Sequence, residues 1–246
     1  MSVTIDDLMQ FYRSPLGRIS RRLIADTLLP LAPVQGQRVL GIGYATPYLN
    51  RLRADAERVM AFMPQRQGVT HWPHEAPSLS ALVDPLELPL TDSAVDVVIA
   101  IHALEHLFDL EEFMQELWRV TAPGARVILV VPRRRGFWAQ RDTTPFGHGH
   151  PFSQNQLARL LKDHSFTPEV WREALYLPPS NFGPLLKSAR LFETMGRLLG
   201  SGLAGVMLVR ARKEMYPAVT RRRRSPQFSQ IPGLVSQPAW PTGHIR

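Results

Sequence analysis

The chain has 246 residues, 44% of them hydrophobic, and no cysteine; this leaves room for one substantial core and excludes disulfides, cysteine-ligated zinc and a cysteine nucleophile. The formal net charge of +8 is concentrated at one end, because from Arg210 onward there are eight Lys or Arg against one Glu. The body is therefore nearly neutral, which weakens a nucleic-acid reading of it, and the opening MSVTIDDLMQ has acids where a secretory leader has bases and an apolar run.

Residues 4–30 read as two helices jointed at Ser14-Pro15, since Ser14 is a good N-cap and Pro15 suits the first helical position. Leu16, Ile19, Leu23 and Thr27 make one stripe, with Arg18, Arg21 and Arg22 mostly off it. This N-terminal segment, 1–30, packs on the domain or over its cleft; a membrane-surface helix is the minor alternative. Residues 38–42 form a first strand, 47–53 a helix and 58–63 a second strand. A polar, Pro-containing loop over 65–78 stands where a full helix is expected, and 79–83 is a short third strand.

The stretch 90–132 carries the most information. Val95 to Ile101 is apolar except for Asp96, as in a strand buried on both faces. Leu110, Phe113, Met114, Leu117 and Val120 fall at helical spacing, Ala122, Pro123 and Gly124 end that helix, and 127–131 is another buried strand. So tight a crossover implies a parallel sheet whose ligands sit at the carboxyl ends of its strands. Beyond it come a long loop over 133–152, a helix capped by Ser153, a strand over 169–175, a helix over 184–199 and a last strand over 202–211. Alternation throughout gives a doubly wound α/β class in one domain spanning 31–215. Residues 216–246, rich in Pro, Ser, Gln and Arg without apolar period, read as a disordered basic tail. No stretch is long and apolar enough to span a membrane, and a cytoplasmic location is expected.

Four motifs and a closing strand resemble the class I S-adenosylmethionine-dependent methyltransferases, in particular the group called methyltransferase type 11. They are Val39-Leu40-Gly41-Ile42-Gly43-Tyr44-Ala45-Thr46-Pro47 in place of the glycine-rich first motif; Asp84-Pro85-Leu86-Glu87-Leu88-Pro89-Leu90; Asp96-Val97-Val98 running into His102-Ala103-Leu104-Glu105-His106; Arg119-Val120-Thr121-Ala122-Pro123-Gly124; and a strand ending in Arg210. The resemblance implies a seven-stranded, mostly parallel Rossmann-like sheet with its last strand antiparallel. It also implies S-adenosyl-L-methionine as cofactor, contacted by Gly41, Gly43, Ala45, Asp84, Leu86, Ile101 and His102. The family's three loop glycines map onto Gly43, Ala45 and Pro47, its acid before the loop onto Gly41, and strand two ends Phe62-Met63-Pro64 without the carboxylate that holds the ribose. Each lost charge-assisted bond costs about 1.5–3 kcal/mol.

Methyl transfer needs alignment and dryness more than a fixed catalytic residue. His102, His148, His150 and Arg141 are the candidates for a base or an anion contact, and the loop over 133–152 is the candidate acceptor site. His102 reads equally as a packed core residue. Its partner four residues on, His106, suggests a metal only with a third ligand that the sequence does not supply, so no metal is expected. Trp72, between His71 and His74, covers the adenine or is an ordinary surface aromatic. The acceptor is a small molecule or a protein; an inactive methyltransferase-like binding or regulatory protein is the alternative. Arg221, Arg222, Arg223 and Arg224 suit an acidic partner or nucleic acid, and hence a further alternative, an RNA methyltransferase assisted by the tail.

Overall fold

The computed structural model describes residues 3–199 and 203–215. The expected tail, with Arg221–Arg224, lies outside the described residues. Two helices open the chain, α1 (Ile5–Arg13) and α2 (Pro15–Leu28). Thr4 and Asp7 form a reciprocal capping box at the first, and Ser14 accepts from the Gly17 N–H at the second, so the joint lies where the sequence puts it. There follow β1 (Arg38–Gly43), α3 (Thr46–Leu49), β2 (Arg58–Pro64), β3 (Ser80–Val83), β4 (Val95–Ile101), α4 (Leu110–Val120), β5 (Thr121–Pro132), α5 (Gln154–Asp163), β6 (Phe166–Ala174), α6 (Gly183–Lys187), α7 (Ala189–Leu199) and β7 (Val206–Lys213).

The strands form one seven-stranded sheet in the order β3-β2-β1-β4-β5-β7-β6. Strand β7 is antiparallel to both β5 and β6, and the β1–β2, β1–β4, β2–β3 and β4–β5 pairs are parallel. Side chains alternate across it: Val39 packs with Leu8, Ile24 and Leu28 of α1 and α2, and Leu40 and Ile42 with Phe113 and Leu117 of α4 and Leu157 of α5. The N-terminal helices thus help form the core. The carboxyl ends of β1 to β4 meet at one edge, where the topology reverses between β1 and β4, the place a doubly wound sheet offers a ligand.

Four elements differ from expectation, the last strand simply by lying over Val206–Lys213 and not over 202–211. The helix expected over 47–53 is a single turn, α3, after which 51–55 continue as turns. The residues read as ending α4 instead open β5: its pairing with β4 runs Val95↔Thr121 and then Val97↔Arg126, so Ala122 to Ala125 bulge out, with Gly124 at φ +71. The helix over 184–199 is broken at Ser188 into α6 and α7. Among the described residues no helix is long and apolar enough to cross a membrane.

Candidate active site

The first loop is set by close packing. Gly43 has φ +77, and a Cβ on it would lie 2.3 Å from the Ile101 carbonyl oxygen and 3.0 Å from that of His102. Glycine is required here because β4 comes so near. The Tyr44 N–H donates to that same Ile101 oxygen at 2.9 Å. Gly41 is a packing glycine, since a Cβ there would meet Leu49 Cδ1 of α3 at 2.6 Å and Ala45 Cβ at 2.9 Å. Gly41 and Ala45 therefore face the turn of α3, and Pro47 sits at the start of that helix, where a missing N–H is tolerated.

The crevice beside β1 and β4 is filled by rings. His102, fully buried with φ +52, directly follows β4. Its Nε2 lies 2.9 Å from the Tyr12 hydroxyl, which is 3.1 Å from the Tyr48 hydroxyl. Tyr44 packs on Tyr12 with centroids 5.5 Å apart, and Phe146 packs on His102 at 4.7 Å. Burial holds the Tyr12 and Tyr48 phenols well above their usual range, so both stay neutral donors. On the other side of the ring, His102 Nδ1 is 3.4 Å from Glu105 Oε1; Glu105 is 1% exposed, and neither of its oxygens has a hydrogen-bond partner among the described residues. Tyr12 and Tyr48 were not singled out from sequence, whereas Glu105 belongs to the motif that follows β4.

Next to this cluster, at the ends of β2 and β3, lies a cavity of about 170 Å³. Asp84, Leu86, Gln67 and His106 line it, and the Arg66 guanidinium over the exposed Phe108 ring, 4.5 Å away, marks its rim. Asp84 Oδ1 accepts the Leu86 N–H at 2.9 Å in a local turn. Gln67 donates through Nε2 to the His102 carbonyl at 2.5 Å, while its Oε1 and His106 Nε2 are buried without partners among the described residues. Burial lowers the His106 pKa and keeps its ring neutral at pH 7. Gln67 was also missed; a polar residue three past the acid-free end of β2 is the one signal that marks it.

The remaining candidates do not converge on His102. His148 lines a separate cavity of about 540 Å³ between α1 and the long loop, together with Asp7, Asp142 and Thr144. His150 is exposed, faces another cavity beside Phe108 and Arg134, and its N–H donates to the Glu105 carbonyl at 2.8 Å. Arg141 is exposed and lines neither. Trp72 corrects both alternatives: it is 3% exposed, donates to Asn50 Oδ1 at 2.8 Å, and belongs to the core beside α3 rather than to the cavity. Among the described residues no group of His, Cys, Asp or Glu is placed to hold a metal ion.

The family model of the methyltransferase domain matches residues 37–129, which run from β1 into β5. Residues 37–129 belong to that family. The methyltransferase domain is similar to "Probable S-adenosylmethionine-dependent methyltransferase" of Mycolicibacterium smegmatis, 35% identical over 54% of this chain and 53% of the relative. It is similar also to ajmaline N-methyltransferase of Rauvolfia serpentina, 33% identical over 42% of this chain and 31% of the relative. The chain thus spans about half or less of the length of these curated relatives. Its fold matches the crystal structure of a SAM-dependent methyltransferase from Thermotoga maritima with a TM-score of 0.63 and 15% identity, covering 85% of this chain and 96% of that one. At that identity the likeness establishes the fold of the methyltransferase domain: a seven-stranded Rossmann-like sheet in one domain.

Proposed function

We propose that this chain is an S-adenosylmethionine-dependent methyltransferase acting on a small-molecule or protein acceptor. One observation carries the reading: in a domain of this family, a cavity at the ends of β2 and β3 is lined by Asp84, Leu86, Gln67 and His106, and Gln67 Oε1 and His106 Nε2 beside it have no hydrogen-bond partner among the described residues. Leaving such an atom unpaired costs about 1–3 kcal/mol, and a polar ligand removes that cost.

The residues fit the nucleoside half of the cofactor. Asp84 and Leu86 are available to a base at the end of β3, and Gln67 lies next to β2. The methionine half fits only when Tyr12 withdraws, because the crevice by Gly43 and Ile101 is closed by the Tyr12, Tyr44 and Tyr48 rings. When bound, the cofactor supplies an electrophilic methyl on a good leaving group. The protein has to align the acceptor and keep water out. Freed of Tyr12, His102 Nε2 faces the crevice while Nδ1 stays beside Glu105, so the ring is placed to take a proton from an O–H or N–H acceptor. Trp138 and Phe146, both buried, bring the loop over 133–152 against α1 and exclude solvent on the acceptor side. The cysteine-free chain is consistent with a cytoplasmic enzyme.

Calorimetric titration with S-adenosylmethionine and S-adenosylhomocysteine tests the reading. Saturable binding of both is expected, and absence of heat at millimolar concentration of either ends it. A second reading, a methyltransferase-like binding protein without activity, draws on the closed crevice and on the Tyr44 N–H being committed to the Ile101 carbonyl. It requires that neither ligand binds.

A further inference from the structure

We infer that the outward side of α7, together with the basic groove between α2 and α6, docks on an anionic lipid surface. This docking does not depend on the cofactor reading above.

Between β6 and β7 the chain leaves the sheet, and there it carries α6 and α7. One side of α7 is secured: Ala189 and Glu193 are buried, and Phe192 packs on the core. The opposite side is apolar where a solvated helix is polar. Leu191, Met195 and Leu198 stand at i, i+4 and i+7, hence in one row, and are 60%, 49% and 81% exposed. Phe182, at the cap of α6, is exposed as well. A helix already packed by one side needs no second apolar row to fold, and such a row marks contact with something outside the chain.

Charge selects the occupant. The groove between α2 and α6, about 510 Å³, is lined by Arg18, Arg22, Lys187 and Arg190 and by no carboxylate. All four cations are exposed, and none is in an ion pair among the described residues. Arg197, seven residues on from Arg190 and so on the same side of α7, reaches Thr27 Oγ1 of α2 at 3.4 Å. The basic flank of α7 therefore faces α2, and the apolar row turns outward. A bilayer with acidic headgroups satisfies both, because leucines enter below the headgroups while arginines pair with the phosphates. A second copy brings the same cations to the contact. Residues 217–246 suit it no better, with five arginines and no acid. A nucleic acid leaves the apolar row in water.

The absence of cysteine lets one introduced thiol carry a label uniquely. The full chain bearing an environment-sensitive dye at Leu198→Cys is mixed with vesicles of phosphatidylcholine alone, or of equal parts phosphatidylcholine and phosphatidylglycerol. Leu82→Cys, at an exposed position of β3, is the control. On the anionic vesicles the first dye is expected to brighten about twofold or more and the control to stay unchanged, with partition about tenfold weaker on phosphatidylcholine alone. Co-sedimentation then compares the unlabelled chain with Leu191→Ser/Met195→Ser/Leu198→Ser, in which the arginine-rich residues 217–246 are intact. A loss of about tenfold or more in partition is expected, with circular dichroism confirming the fold; the dye at Leu198→Cys decides the matter if the triple variant does not fold. The docking is overturned if the wild-type chain stays off the anionic vesicles, if the dye at Leu198→Cys stays dim on them, or if a folded triple variant partitions like wild type. It is overturned equally if that dye brightens with protein concentration in the absence of lipid, since a second copy then covers the row. None of these outcomes alters the expected binding of S-adenosylhomocysteine.

Discussion

The two edges of the sheet are built on opposite rules. At the edge where β1, β4 and β5 begin, charged groups find partners. Arg38 gives its backbone N–H and its guanidinium to Asp96, tying β1 to β4. Arg119, at the end of α4, donates to Glu116, to Asp92 and to the carbonyls of Leu88 and Leu90. Lys213 donates to the Trp118 and Thr121 carbonyls at 2.6 Å and lies over the Trp118 ring. At the other edge, Gln67, His102, Glu105, His106, Thr144 and Glu193 keep buried polar atoms without hydrogen-bond partners among the described residues, while Arg133 is ion-paired with Glu173. Buried polar atoms cost stability unless paired, so the second edge is the less satisfied of the two.

The largest expected effect cuts across that division. The ligand edge is loose in its polar side chains but tight in its backbone, and Gly43→Ala forces a Cβ to 2.3 Å from the Ile101 carbonyl at a φ of +77. A loss of about 3 kcal/mol or more in unfolding free energy is expected from denaturant titration; a loss under 1 kcal/mol means that β1 and β4 do not approach this closely. Next is Arg119→Ala, which leaves the Glu116 carboxylate with only the Leu88 N–H and takes a donor from the Leu88 and Leu90 carbonyls at the satisfied edge. With a third of the Arg119 side chain exposed, the screened cost is about 2 kcal/mol, with nucleoside binding unchanged. Asp84→Ala should do the converse: at least a tenfold loss of cofactor affinity, about 1.4 kcal/mol, with little change in melting temperature. Wild-type affinity in that variant removes Asp84 from the site. The paired replacement His102→Leu with Glu105→Leu tests the opening contrast most directly. It substitutes apolar volume for a poorly satisfied buried pair, so stability within about 1 kcal/mol of wild type is expected alongside lost activity.

What could be read from the sequence follows from range. Strand β4 and helix α4 were legible to the residue because both are specified locally, one by burial on two faces and the other by a 3.6-residue period. Gly43 and Asp84 each belong to a contiguous motif, and the structure places them at the carboxyl ends of β1 and β3. Helix α3 was overextended because Tyr48, Leu49 and Leu52 have helical spacing, yet beyond Leu49 the chain only turns on its way to β2. The start of β5 was misplaced because Pro123 and Gly124, which usually close helices, here build a bulge that only the register with β4 defines. Tyr12 and Gln67 were invisible for a different reason. Their contacts to His102 span 90 and 35 residues of sequence, and no local pattern encodes a pairing that only the packing of α1 and the loop after β2 creates.

Acid titration should separate the two edges by pH, and this is the gentlest of the tests. Burial lowers the His106 pKa from its ordinary 6.5, so on acidification the unfolded chain takes up that proton first. Stability contributed by the neutral ring is complete above pH 6.5 and is lost as pH falls through the lowered value. Asp96 behaves as a carboxylate whose hydrogen bonds to Arg38 hold its pKa below 3.8; its stabilisation persists above that value and is lost only as pH falls further. A plot of melting temperature against pH should therefore bend twice, first near the lower side of neutrality from the ligand edge and then in strong acid from the Arg38–Asp96 tie. The slope from one proton cannot exceed about 1.4 kcal/mol per pH unit. His106→Asn should flatten the first bend and leave the second, and Asp96→Asn should do the reverse. If His106→Asn leaves the first bend intact, the proton involved resides elsewhere, and the cavity between β2 and β3 is wetter than its unpaired ring nitrogen implies.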